Sequence, residues 1–199
     1  PRSRKSATTT ISFTVDTTTL SGVRPRQLTL KKGIVASTSK SFGNKSFSFC
    51  TTSDITVNVP ADGVARFNDI PVYEGTLITD TFTYEIYDPS QRFILSAIGA
   101  DTSTLSVIVR TSQTSSVQRT YNQANSLFDI DSSSAVYWVQ EIEDEQHELI
   151  FGDGVFGRKL AYPNYIEASY VVGSASDANQ VSGMSFCGRI VYTSGTVST

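Results

Sequence analysis

His147 is the only histidine in the chain, and it stands in an acidic stretch, Glu143-Asp144-Glu145-Gln146-His147-Glu148. Acyl transfer by a Ser-His-Asp site needs an imidazole beside an activated serine, and no Gly-x-Ser-x-Gly elbow occurs anywhere in the sequence. A solvated hairpin tip therefore accounts for His147 better than a general base does. The neighbouring carboxylates lack the Asp-x-Asp-x-Asp-Gly order that a calcium loop requires, so no metal site is expected. Glycoside hydrolysis needs two carboxylates about 5 to 10 Å apart in a cleft. With 19 acidic residues some pair can always be proposed, so the carboxylates do not argue for an enzyme.

The stretch richest in signal is Leu149-Ile150-Phe151-Gly152-Asp153-Gly154-Val155-Phe156-Gly157. Gly152, Gly154 and Gly157 satisfy the Gly-x-Gly-x-x-Gly spacing of a dinucleotide loop. Such a loop must open a helix, however, and here Arg158-Lys159-Leu160-Ala161-Tyr162-Pro163 follows, with a proline and strand-like alternation. The glycines are expected to serve tight turns at positive φ. Asp153 is expected to accept bonds from backbone amides, as Asx-turn residues do, and Phe151 to be buried beneath the turn. Phe151, Gly152, Asp153, Gly154 and Gly157 thus form a structural motif, with no catalytic, cofactor-binding or metal-binding residue assigned. Two cysteines, Cys50 and Cys187, give neither a metal spacing nor a disulfide framework and read as free buried thiols in a reducing cytosol.

These residues must be positioned by strands. The chain has 199 residues, 39% hydrophobic and 18% charged, which suits a folded globular chain. Ser and Thr make up about a quarter of it, a composition that leans towards β structure. No apolar run approaches the roughly 20 residues of a membrane span, and no secretory signal opens the chain. A net charge of -3 argues against a domain that grips nucleic acid by its phosphates. A start at Pro1 in place of Met suggests a processed product or a segment of something longer, and Pro1-Arg-Ser-Arg-Lys5 reads as a connector from an earlier domain.

Period-two alternation runs through Ile11, Phe13 and Val15, through Phe47 and Phe49, and through Ile55, Val57 and Val59. Turn signals at Lys32-Gly33, Gly43-Asn44 and Ala61-Asp62-Gly63 separate these runs. Tyr87-Asp88-Pro89-Ser90 reads as a hairpin turn between Phe82/Tyr84/Ile86 and Arg92-Phe93-Ile94-Leu95. The pattern breaks at Gly99-Ala100-Asp101 and resumes at Leu105, Val107 and Val109. A subdomain boundary is therefore expected there, giving residues 1–98 and 99–199. Residues 118–128 hold the one plausible helix, and Val136, Trp138, Phe151, Ile166, Ala168, Tyr170 and Val172 return to strand. The fold class is mainly β, with antiparallel sheets or sandwich-like subdomains and at most one short helix.

Tyr137-Trp138-Val139-Gln140-Glu141, the acidic turn, and Glu148 through Gly157 together resemble the signature of the baseplate J family. Upstream, Tyr73-Glu74-Gly75-Thr76, Phe82-Thr83-Tyr84, Arg92-Phe93-Ile94 and Ala100-Asp101-Thr102-Ser103-Thr104-Leu105 resemble the T4-like wedge subunits of that family. The likeness covers about residues 70 to 190. Departures lie at Pro163-Asn164-Tyr165, which lacks the family's following glycine, and at Gly173 to Asn179, where only Gly173 and Asn179 of the later turn remain. The resemblance implies a structural baseplate wedge protein of a contractile phage tail, assembled in the host cytoplasm and resident in the virion. It implies contacts with other wedge proteins and with a second copy of itself, and neither enzymatic activity, cofactor nor small-molecule substrate. The alternative is a carbohydrate-binding or receptor-binding β-sandwich of a tail, to which nine Tyr and one Trp give some substance and for which an exposed aromatic platform with polar partners would be the mark; of Tyr137 and Trp138, adjacent and opposite-facing, at most one could belong to it. Nucleic acid and membrane are not expected partners.

Overall fold

The structure is a computed structural model that describes residues 5–20, 22–38, 46–173 and 183–192. Strands dominate, as the alternation predicts, and the one helical element among the described residues is a 3-10 turn at Glu143–Glu145. The chain divides into two compact units, one of Ser6–Leu77 with Ser174–Thr199, the other of Ile78–Gly173 with Pro1–Lys5.

The first unit contains β1 (Thr8–Asp16), β2 (Gln27–Leu30), β3 (Gly33–Thr38), β4 (Ser48–Thr51), β5 (Ile55–Asn58) and β6 (Val64–Glu74), and late in the chain β14 (Met184–Phe186) and β15 (Ile190–Val191). They make a five-stranded sheet, β1-β6-β4-β3-β14, and a three-stranded sheet, β15-β2-β5. Leu28 and Leu30 of the smaller sheet join Val35, Phe49, Phe67 and Val72 of the larger in one buried core. β6 buries Ala65 and Phe67, then shifts phase and buries Ile70 and Val72. A bulge opposite Ser12 causes the shift: pairing slips between Ile11 and Phe13, and Asp69 takes φ 50° while its amide donates to Ser12 Oγ at 2.9 Å.

The second unit is built from β7 (Thr76–Thr83), β8 (Phe93–Ile94), β9 (Ala100–Arg110), β10 (Gln118–Gln123), β11 (Val136–Glu141), β12 (His147–Phe151) and β13 (Tyr165–Val172). They form one seven-stranded sheet, β7-β13-β9-β10-β11-β12-β8. β9 pairs antiparallel with β13 and with β10, as β12 does with β11 and with β8, and β10 meets β11 in a short parallel match. The sheet curls until its two edges nearly meet. The Phe82 and Phe93 rings touch edge-on at 5.6 Å, and the Asp80 carboxylate on β7 accepts the Ser96 amide at 2.8 Å and the Ser96 hydroxyl at 2.6 Å. Inside lie Leu95, Val107, Tyr121, Tyr137, Leu149, Ile166 and Tyr170.

Four expectations are corrected. The boundary expected at 98/99 falls within a single sheet, since β8 and β9 belong to it together, and the units divide instead at 77/78 and 173/174. The break at Gly99-Ala100-Asp101 is the entry to β9: Gly99 takes φ 73° just before the strand, Ala100 and Asp101 pair with Val172 and Val171, and a bulge follows at residues 102–105. Asp101 Oδ1 accepts the Ser103 amide and hydroxyl, and Thr104 Oγ1 accepts the Val171 amide at 2.9 Å, so side chains replace ladder bonds. The helix expected at 118–128 is the strand β10 followed by turns, because antiparallel pairing with β9 along Gln118–Tyr121 overrides local propensity. Residues 84–92 form no hairpin: β7 pairs with β13 and β8 with β12, and the connection is an arch held by an Asx turn at Asp88. The Gly43-Asn44 turn, the connector through Arg4 and the turn following Gly173 lie outside the described residues.

Candidate functional site

The glycine loop sits where β12 ends. Val155 and Phe156 donate their amides to Asp153 Oδ1 at 2.8 and 2.9 Å, and these two bonds hold the Asp153 carboxyl below the usual carboxylate range. Gly154 N–H donates to Gly157 O, Gly157 N–H to Asp131 O, and Arg158 N–H to Ser134 O at 2.7 Å. Five consecutive amides, from 154 to 158, thus already have acceptors within the protein. A phosphate-cradling loop needs its amides free and convergent. This loop offers none.

The glycines divide the work. Gly154 and Gly157 have φ of 94° and 83°, where a β-carbon is strained. Gly152 has no such φ; its place is set by a close approach. A Cβ there would lie 2.6 Å from Gly157 Cα and closer still to the Gly157 carbonyl. Phe151 is half-buried where full burial was expected, because it lies at the rim of the barrel. Its ring still meets Phe93 and Tyr121 edge-on at 5.3 and 5.7 Å. The facing loop is fastened in the same way, with the Ser133 hydroxyl and amide and the Ser134 hydroxyl on Asp131 Oδ1, which lowers the Asp131 pKa.

The acidic turn joins β11 to β12. Glu143, Asp144 and Glu145 are exposed, and Asp144 and Glu145 take φ of 60° and 59°. His147 is 5% exposed, which corrects the expected solvated tip: β12 begins at His147 and its pairing with Glu141 draws the ring inward. Its Nδ1 has no hydrogen-bond partner. No nucleophile is placed against it by the hydrogen bonds of the described residues. Glu148 leaves the cluster and pairs with Arg92, whose bidentate guanidinium at 2.6 and 2.9 Å holds its carboxyl down. Among the described residues no three His, Cys, Asp or Glu side chains gather as a metal site. Tyr137 is buried and donates to Leu105 O, burial pushing its pKa up to about 12, while Trp138 is half-buried. The pair presents no open aromatic platform. Cys50 is buried and Cys187 exposed, both free, so only one of the two expected buried thiols is buried.

No motif in the sequence marks a cationic groove. Arg119 of β10, Arg158 and Lys159 line a cavity of about 320 Å³ with Tyr121 and Arg110. Arg110 is paired with Glu167 at 2.6 Å. These residues come from three separated stretches, and no local motif joins them. No protein-family model matches the chain, and no curated protein matches it.

Proposed function

We propose that this chain is a structural component of a contractile phage tail baseplate, a wedge-type subunit that works through protein–protein contacts and has no enzymatic activity. The observation that carries the reading is the closed state of the Phe151–Gly157 element. The residues that carry the resemblance to the baseplate J family are engaged in holding the loop, with Asp153 and five amides satisfied internally. Around this element, apolar side chains stand in solvent: Val155 is 66% exposed, Phe156 47%, and Phe128, three residues before Asp131, 86%. Large apolar groups exposed on loops that are themselves well anchored suit a surface that another protein covers. The carbohydrate-binding alternative draws no support from Tyr137, which is buried, or from Trp138, which is half-buried.

The test is recovery of the full-length protein from infected cells or purified tails, followed by mass spectrometry. Co-purification with other baseplate proteins is the expected result. Recovery in a complex without tail proteins, or glycan binding at micromolar affinity, overturns the proposal.

A further inference from the structure

The groove and the acidic turn lie at opposite ends of one hairpin. β11 and β12 pair from Tyr137/Phe151 to Glu141/His147, and the turn with Glu143 and Asp144 closes that second end. Arg158 is tied to Ser134 beyond the first end. The hairpin between them spans about 14 Å, longer than the roughly 8 Å Debye length of physiological salt. A chain therefore cannot lay its own acidic turn in its own groove.

The groove is built to receive an anion. Arg119, Arg158 and Lys159 face it without a salt-bridge partner among the described residues. Tyr121 lines the groove, and its hydroxyl lies near both Arg158 and Arg119. Arg110 Nε is buried with no acceptor. Burial of unmet donors costs free energy that an incoming acceptor returns.

We propose that the groove binds the carboxylates of the Glu141–Asp144 turn of a second copy of this chain, in a head-to-tail contact. Charge complementarity selects this occupant: the turn presents Glu141, Glu143 and Asp144 exposed, and the groove presents three cations around the unmet Arg110 Nε. Such a contact uses different surfaces on the two copies, so each bound copy leaves one groove and one turn open for the next. The inference rests on the assembly reading above and gives that reading a specific self-contact.

Sedimentation of the purified chain from about 10 µM to 1 mM tests it. Association at about 20 mM salt that disappears at about 500 mM is the expected result. Arg119→Glu with Arg158→Glu, and separately Glu143→Lys with Asp144→Lys, should each weaken association roughly tenfold or more. Mixing the two double variants should restore binding, since the intact turn of the first then meets the intact groove of the second and the reversed groove meets the reversed turn. All four residues are exposed, and circular dichroism checks that each variant keeps its fold. A chain that stays monomeric at low salt overturns the proposal, and so does association that survives both reversals. Inorganic phosphate that raises the melting temperature of a monomeric wild type also overturns it, by assigning the groove to a free anion. A failure to recover tail proteins from cells strikes the assembly reading and leaves these measurements unaffected.

Discussion

Both units bring the edges of a curled sheet together, and they do it by different means. In the first, Phe13 on β1 meets Phe186 on β14 at 4.6 Å, beside an apolar cavity of about 270 Å³ lined by Ile11, Ala36 and Met184. In the second, the Phe82–Phe93 contact is joined by Asp80, which holds the Ser96 amide and hydroxyl and also accepts the Tyr170 hydroxyl at 2.7 Å. Tyr170 in turn accepts the Ala97 amide. Apolar contact is non-directional and tolerates a slipped edge, whereas a carboxylate with three donors fixes one alignment. The groove, the glycine loop and the acidic turn all belong to the unit with the polar seam. A site assembled from separated strands requires a fixed alignment, and this seam supplies it.

The largest expected effect tests how little slack the second unit has. Gly152→Ala should cost about 3 kcal/mol or more, because its Cβ meets Gly157 backbone that cannot yield without opening the loop. Gly154→Ala meets only Lys159 Cβ at 3.6 Å and should cost about 1 kcal/mol through its φ alone. Urea denaturation measures both, and equal losses would remove the distinction between close approach and strain.

Asp80→Ala should cost about 2 to 3 kcal/mol, since three donors lose a charged acceptor. Phe186→Ala, at the apolar seam, should cost only about 1 to 2 kcal/mol because that ring is already 46% exposed. A Phe186 variant that proves the more damaging of the two would reverse the comparison.

Thiol chemistry sharpens it within the first unit. Burial, with Glu74 adding to it, pushes the Cys50 thiol up to about 11, while Cys187 is exposed. At pH 8 one thiol should react with Ellman's reagent quickly and the second only on unfolding. Two equal rates would mean that the core around Cys50 opens freely.

The smallest effect is on acid stability. Asp131 and Asp153, bonded by hydroxyls and amides, and Glu148, bonded by Arg92, have folded pKa values below their ordinary ones. Their stabilisation is present above the unfolded pKa and is lost as pH falls through the folded values. The melting temperature should change little from pH 7 to 5 on their account and decline below about pH 4. Asp153→Asn should flatten part of that decline, and a decline unchanged in this variant would show that Asp153 contributes nothing to it.

Much of the fold was legible because it is local. Alternation at Ile11-Phe13-Val15 and Ile55-Val57-Val59 marks β1 and β5, since side-chain period alone separates the two faces of a strand. The glycines at 154 and 157 were readable as turn residues because a positive φ is a property of the residue itself. Asp153 as an Asx acceptor was readable for the same reason: its partners are two and three residues away.

What escaped the sequence depends on which distant strands pair. Gln118-Arg-Thr-Tyr-Asn-Gln is polar and buries only Tyr121, so β10 carries almost no strand signal and exists because β9 lies beside it. Gly99-Ala-Asp101 has the look of a boundary and is the start of a strand, a difference made by β13, which pairs with Ala100 and Asp101. Gly152 is required by Gly157 folding back on it, and His147 is buried by the pairing of its strand. Arg119, Arg158 and Lys159 share a groove because the 158–164 stretch is fastened to Ser134 and, through Asn164, to Arg110 of β9. The sequence by itself determined that the chain is a β protein and where its turns fall, because those follow from residue type and spacing. Only the tertiary structure decided where the units divide, which side chains are buried and which charges meet, because each of these depends on strands far apart in the chain.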